Sequence, residues 1–302
     1  MKSVSRRIDR IDVRFDDPNL VANAGLLLAA TLVSQLNLET LINATVRLGG
    51  RVGGALPGRK ILTLVHTMIA GGSHIDHADM LRAGATQSVL SHRVMAPSTL
   101  GTFLRSFTFG HVRQLDAVIG ETIRRVWQLG AGPGNQRLVI DVDSTIGEVH
   151  GKKKQGAAYG YTKKLGYHPL LATRAETGEI LHARMRKGSA NTARGARRFL
   201  EEVIARVRRA GAAGEIVIRV DSGFWANDTI EVLGRLNVRY TMAVHCGNSA
   251  ITKAISGIAE KAWRPIGYTA GGEAQSRRLH LHHRQRPPTD QSTFDRAPHP
   301  PR

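Results

Sequence analysis

Two short stretches of this 302-residue sequence restrict its fold more than any other feature: Leu138-Val-Ile-Asp-Val-Asp-Ser-Thr145 and Glu215-Ile-Val-Ile-Arg-Val-Asp-Ser-Gly-Phe224. Each is a β-branched run that ends in Asp-Ser. Short runs rich in Val and Ile, bounded by turn residues, read as buried strands. Each strand would therefore carry a carboxylate out of its end, Asp143 from one and Asp221 from the other. Side by side in one sheet the two carboxylates converge, and the only basic residue within either run is Arg219. Converging carboxylates are costly without a cation, and Mg²⁺ or Mn²⁺ is the usual partner where the substrate is a phosphate ester.

The charge balance points the same way. The sequence holds 43 Lys and Arg against 24 Asp and Glu, a formal charge of +19, which favours a polyanionic partner such as nucleic acid. The plainer alternative is a basic protein in which Arg is simply abundant. With 41% hydrophobic residues the chain has enough apolar material for one large domain or two ordinary ones. Its single cysteine, Cys246, rules out an internal disulfide framework and a zinc site built on several thiolates. The N-terminus shows no apolar signal region, and runs such as 26–33 and 61–70 fall short of the roughly 20 residues of a membrane span. These features predict a cytoplasmic protein with no membrane partner.

Residues 1–19 read as a charged arm closed by Asp16-Asp17-Pro18, and 20–130 as an all-α DNA-binding or accessory domain. Leu26, Leu27, Ala30, Val33 and Leu36 fall at helical spacing, and Ile61, Leu62, Leu64, Val65, Met68 and Ile69 predict a buried helix ended by Gly71-Gly72. Pro97-Ser98-Thr99 predicts a helix start with a hydroxyl cap, and 111–129 a helix striped by Leu115, Val118, Ile119, Ile123 and Val126. The loop 49–60, with Arg51, Arg59 and Lys60 among its glycines, is either a phosphate cradle or a flexible connection. The segment His74-Ile-Asp-His-Ala-Asp79 reads as a solvated helix start ahead of a metal site.

Gly130-Ala-Gly-Pro-Gly-Asn135 forms turns along its whole length, and the pattern changes class after it. Strands are predicted at 138–142, 167–174, 179–185, 216–220 and 238–244, with helices at 191–210, 228–236 and 250–262. On the helix at 191–210, Ala196, Phe199, Leu200, Val203, Ile204 and Val207 form the apolar face, arginines line the polar side, and Gly211 stops it. The fold class is therefore α/β: an N-terminal all-α domain followed by an incomplete ribonuclease-H-like mixed sheet over 136–275. That fold places one acid on the first strand and another at the end of the fourth, where Asp143 and Asp221 stand. Two-metal phosphoryl chemistry needs carboxylates that hold ions about 3.5–4 Å apart. Asp141 shares a strand face with Asp143 and is a candidate further metal ligand.

Between the acids, residues 151–168 mix five lysines, three tyrosines and four glycines. Lys152, Lys153, Lys154, Lys163 and Lys164 suit phosphates, and Tyr159 and Tyr161 suit stacking on unpaired bases. A solvated hairpin loop is the alternative. Arg186, Lys187 and Arg194 extend the same basic surface.

Asp141-Val-Asp-Ser-Thr145, Gly156-Ala-Ala-Tyr-Gly-Tyr-Thr162, Leu165-Gly-Tyr-His-Pro-Leu170, Gly188-Ser-Ala-Asn-Thr192 and Arg219-Val-Asp-Ser-Gly-Phe-Trp225 resemble the DDE transposases of the 1380 family of bacterial insertion sequences. Ala96-Pro-Ser-Thr-Leu-Gly-Thr-Phe-Leu104 and Phe109-Gly-His111 resemble it too, so the likeness runs over roughly residues 15–275. It implies metal-dependent hydrolysis at transposon ends, then attack of the freed 3′-hydroxyl on target DNA. Asp143 and Asp221 match the family's first two catalytic acids. Double-stranded DNA is the implied partner, with a homodimer in the synaptic complex.

The sequence departs from that family at its end. The third acid, a glutamate on a helix beyond an inserted β-rich segment, has no counterpart, and Glu231 and Glu260 do not match the motif. Residues 276–302 hold six Arg, five Pro and four His with no structural period, which predicts a disordered, out-of-frame tail. Weak or absent strand transfer is the expectation. A non-catalytic DNA-binding regulator derived from a transposase is the alternative, and an independent ribonuclease-H-like nuclease a third reading.

Overall fold

The computed structural model describes residues 17–90, 92–151, 153–244, 249–267 and 273–276. Residues 1–16 of the arm, Lys152, Cys246 and the tail after Ser276 lie outside the described residues. Residues up to Val244 form one compact unit, and His245–Arg302 a second.

The helical part comprises α1 (Leu26–Gln35), α2 (Leu38–Thr45), α3 (Pro57–Ile69), α4 (Pro97–Arg105) and α5 (Phe109–Val126). Among the described residues no single helix is long and apolar enough to cross a membrane. Burial in α3 differs from the expected apolar belt. Met68 and Ile69 are exposed, whereas Lys60, Thr63, His66 and Thr67 are buried. Most of these polar groups find partners inside, the Nε2 of His66 being the exception. Thr63 and Thr67 donate to the carbonyls of Arg59 and Thr63, and His66 meets His92 ring to ring at 2.9 Å. The start of α4 also differs: Pro97 takes the first helical position and Ala96 the cap, without a side-chain bond. Proline's fixed φ suits that place and its missing N–H costs nothing there.

The loop before α3 turns its lysine inward. Lys60 Nζ donates to Gly53 O at 2.7 Å and to Ala55 O, and lies over the Phe103 ring. Arg59 pairs with Glu39 at 3.0 Å. Two of the three basic residues that suggested a phosphate cradle thus hold the protein together. In the 74–79 segment, Ser73 bonds to both His74 and His77 at a short 3₁₀ turn, Ile75–Leu81.

After a tight turn at Gly130 (φ +101°) the chain enters a sheet built from β1 (Leu138–Ser144), β5 (Leu170–Arg174), β6 (Ile180–Arg184), β7 (Ile216–Val220) and β8 (Arg239–Met242). Their spatial order is β6-β5-β1-β7-β8. β1 pairs antiparallel with β5 and parallel with β7, β5 antiparallel with β6, and β7 parallel with β8. This mixed arrangement, with β1 at the centre, is the ribonuclease-H-like one. A smaller sheet, β2 (Gly147–Glu148), β3 (Ala158–Tyr159) and β4 (Leu165–Tyr167), projects from the end of β1 in the order β2-β4-β3. The strand expected over 167–174 is split between β4 and β5 at Pro169, which has no N–H to give a ladder.

Helix α6 (Ala196–Ala210) lays Phe199, Leu200, Val203, Ile204 and Val207 on one face of the large sheet, against Ile140, Val142, Leu170, Leu181 and Ile218. Its first turn starts later than expected, after Gly195 at φ +77°. Helix α7 (Asn227–Arg235) adds Val232 and Leu233 to the same core, and the end of α5 adds Ile123 and Trp127. Burial alternates along β1, so Val139, Asp141 and Asp143 face away from that core. The second unit holds α8 (Ser249–Ser256) and a hairpin of β9 (Arg264–Gly267) with β10 (Glu273–Ser276), which the sequence reading did not anticipate.

Candidate active site

The in-register parallel pairing of β1 and β7 brings the two acid-bearing strand ends together. Val142 is paired with Val220, so the next residues are Asp143, still on β1, and Asp221, which follows β7 and caps the 3₁₀ turn Ser222–Phe224. Neighbouring strands lie about 4.8 Å apart, and residues at equal register point to the same face. Both carboxylates belong to exposed residues. Each is oriented by the backbone of its own turn: Ser144 N–H donates to Asp143 Oδ1 at 2.6 Å, and Gly223 N–H to Asp221 Oδ1 at 3.0 Å. Among the described residues neither carboxylate takes part in an ion pair.

Asp141 is different. It lies opposite Arg219 in the same ladder, and Arg219 grips it with both Nε and Nη2, the latter at 2.6 Å from Oδ2. The carboxylate in turn holds the Arg219 guanidinium above its ordinary pKa. A carboxylate already neutralised in this way is a weaker metal ligand than Asp143, two residues on. No group of three or more His, Cys, Asp or Glu able to hold a metal occurs among the described residues. Glu231 sits on exposed turns of α7, away from any such cluster. The donor set is therefore two hard carboxylates, which fits Mg²⁺ or Mn²⁺ in kind though with few protein ligands.

The basic loop leaves β1 directly beyond Asp143 and folds as the small sheet. Glycines let its strands meet at van der Waals distance: a Cβ at Gly166 would stand 2.5 Å from Gly147 O, and one at Gly160 2.6 Å from Gly188 O. On this platform Tyr159 and Tyr161 are 60% and 78% exposed, and Lys153, Lys154 and Lys163 are exposed as well. Lys163 occupies the left-handed region (φ +59°) at the turn closed by its N–H to Gly160 O. Lys164 pairs with Glu148 at 3.0 Å across the sheet. Lys187 and Arg194 are exposed nearby in sequence.

Arg186 does internal work. Its Nε donates to His168 O at 2.8 Å, and its Nη1 to the carbonyls of Asn191, Thr192 and Arg194. Burial lowers its pKa. The guanidinium thus braces the 188–195 loop, and little of it is left for a phosphate. Sequence reasoning also passed over His168, which is 1% exposed and bonds Ser144 Oγ at 2.9 Å and Ala190 O at 2.6 Å. Its partners lie more than twenty residues away on either side, so no local pattern marks it.

Residues 4–280 match the family model described as transposase DDE domain group 1. No curated protein matches the chain. Among solved structures, the piggyBac transposase synaptic complex with hairpin DNA is 16% identical with a TM-score of 0.39, covering 83% of this chain and 56% of that one. This chain therefore spans a little over half of the piggyBac chain's length. The catalytic domain of Mos1 mariner transposase is 11% identical with a TM-score of 0.27, covering 48% of this chain and 73% of that one. A simian T-cell lymphotropic virus intasome in complex with PP2A regulatory subunit B56 gamma is 18% identical with a TM-score of 0.25, covering 44% and 41%. Scores this low decide nothing about the site.

Proposed function

The chain belongs to the transposase DDE domain group 1 family, which are DNA phosphoryl-transfer enzymes, and from that premise we propose that it serves an insertion sequence of the 1380 type. On this reading it acts in the cytoplasm on double-stranded DNA, at terminal inverted repeats and at the target, as a homodimer that pairs two ends. The observation that carries the proposal is the Asp143 and Asp221 pair, each the residue that follows the paired Val142 and Val220 of two parallel strands, with no ion-pair partner among the described residues. Mg²⁺ or Mn²⁺ held there would supply activation of a water or 3′-hydroxyl and stabilisation of the leaving oxygen.

The protein's own groups do the rest. Asp143 and Asp221 would hold the cation, each carboxylate kept in place by a backbone N–H of its own turn. Lys153, Lys154, Lys163, Lys164, Lys187 and Arg194, with Lys152 beside them in sequence, neutralise phosphates on either side of the scissile bond. Tyr159 and Tyr161 offer ring faces to bases unpaired at the cut end. Asp141 and Arg186 serve as scaffold, since each is already engaged within the protein.

A second reading is a DNA-binding regulator that occupies the repeats without cutting. It is favoured by the lack, among the described residues, of a third metal-binding side chain beside the pair. One experiment separates the two: gel shift on the terminal repeats in EDTA, then cleavage of the same DNA with Mn²⁺. Cleavage lost in Asp221→Asn supports the transposase. Binding without cleavage supports the regulator, and equal cutting of unrelated DNA would overturn both.

A further inference from the structure

The two acids are joined by a path that runs through one buried imidazole. His168 is 1% exposed, with Nδ1 2.6 Å from the Ala190 carbonyl and Nε2 2.9 Å from Ser144 Oγ. A carbonyl oxygen only accepts, so Nδ1 carries the proton, and in the neutral ring Nε2 is left to accept the Ser144 hydroxyl. On one side, Ser144 follows Asp143 and gives that carboxylate its backbone N–H. On the other, Ala190 lies in the loop whose Thr192 packs against Gly223, where an added Cβ would come within 3.0 Å of the Thr192 side chain. Gly223 N–H in turn holds Asp221. Arg186 fixes the far side of this loop by bonding the carbonyls of Asn191, Thr192 and Arg194.

We infer that His168 is a positioning residue: through Ser144 and the 188–195 loop it sets the separation and aim of the Asp143 and Asp221 carboxylates. It touches neither DNA nor a reacting atom in this role. Its effect on metal binding rests on the proposed function above, whereas the mechanical coupling between the two strand ends does not. Besides the Ser144 hydroxyl, the imidazole has the Tyr161 ring beside it, tilted, at 5.9 Å between centroids.

The test uses the full chain, ¹⁵N-labelled, as wild type, Ser144→Ala and His168→Asn. Asn retains a donor for Ala190 and loses the acceptor for Ser144. Two readouts are taken: the Gly223 amide resonance, and Mn²⁺ affinity by electron paramagnetic resonance. Coupling predicts that Ser144→Ala, which removes the hydroxyl bonded to His168, moves the Gly223 amide and weakens Mn²⁺ about 10-fold or more in a chain that still folds. Amide changes confined to residues 143–145, 168 and 190 would overturn the inference, even if His168→Asn fails to fold. A wild type that binds no Mn²⁺ refutes the metal reading alone, and the Gly223 amide still decides the coupling.

Discussion

Asp141 and Asp143 sit two residues apart on one strand face, yet only Asp141 has a guanidinium against it. The consequence is a sharp difference between two chemically identical substitutions. Asp143→Asn is expected to abolish Mn²⁺ binding, a loss of at least about 100-fold. Asp141→Asn is expected to leave it within a few-fold and to cost about 1 kcal/mol or less, because its ion pair is largely exposed. Titration of Mn²⁺ into both variants, with urea melts alongside, checks the pair. The sequence favours Asp143 as the acid through its Asp-Ser ending but keeps Asp141 as a further ligand, since a period of two puts both on the same side; the register against Arg219 shows what engages Asp141. A second residue-scale effect lies at His66. Burial, then the neighbouring His92, lowers its pKa from 6.5 to about 4, against a backbone bond to Leu62 that opposes the shift. The unfolded chain therefore binds more protons between those values. Stability is complete above about pH 6.5 and falls as pH drops toward 4, by up to about 3 kcal/mol. Urea midpoints at pH 7 and pH 5 should show the loss, and an equal loss in His66→Gln would refute its assignment to this ring.

Helix α6 was legible as an element: its apolar stripe and the glycine that ends it are where the sequence places them. Its partner was not. Arg206, one of the arginines expected on the solvent side, is 6% exposed because α5 packs over that flank. It reaches Asp116 of α5 at 2.6 Å and the Leu181 carbonyl of β6 at 3.0 Å. His182 stands between Asp116 and Glu202, and Arg184, Arg198 and Arg113 surround Glu202. Burial alone would raise the Asp116 pKa, but the close His182 ring and the hydrogen-bonded Arg206 guanidinium hold it far below the ordinary range. Taking away one member of such a pair strands the other's charge. Arg206→Met should cost about 3–5 kcal/mol, and adding Asp116→Leu should recover much of it. Denaturant melts of the single and double variants decide this, and a single variant as stable as wild type would show the pair to be dispensable. Periodicity gives the width of a helix's apolar stripe, but it does not say which helix will cover the polar edge. The same gap explains the buried histidine of α3, whose partner His92 lies on another segment; Thr63 and Thr67 instead bond carbonyls one turn back in their own helix.

For the molecule as a whole, the order of strands and helices along the second half of the chain was readable from the sequence, because β-branched runs and turn residues are local signals, whereas the meeting of the two Asp-Ser ends followed only from the ribonuclease-H-like pattern that this order matches. The β9–β10 hairpin was not, since its strands carry Pro265, Gly267 and polar residues in place of an apolar alternation. The charge of +19 makes a further expectation at this scale. If Lys153, Lys154 and Lys163 each neutralise a phosphate, replacing all three by Ala should flatten the dependence of log affinity on log salt by about 0.9 per contact. A slope unchanged from wild type, measured by fluorescence anisotropy over a salt series, would move DNA off this platform. The central place of β1 has one more effect, on synthesis. Asp141 and Arg219 bridge β1 and β7 across 78 residues of chain, with β5, β6 and α6 between them. Antiparallel neighbours can zip up as they leave the ribosome, whereas the parallel partner arrives last. A nascent chain therefore carries its first acid unaccompanied until Val220 has emerged, and a translational pause in that interval would leave one flank of the central strand open to a stray β-strand.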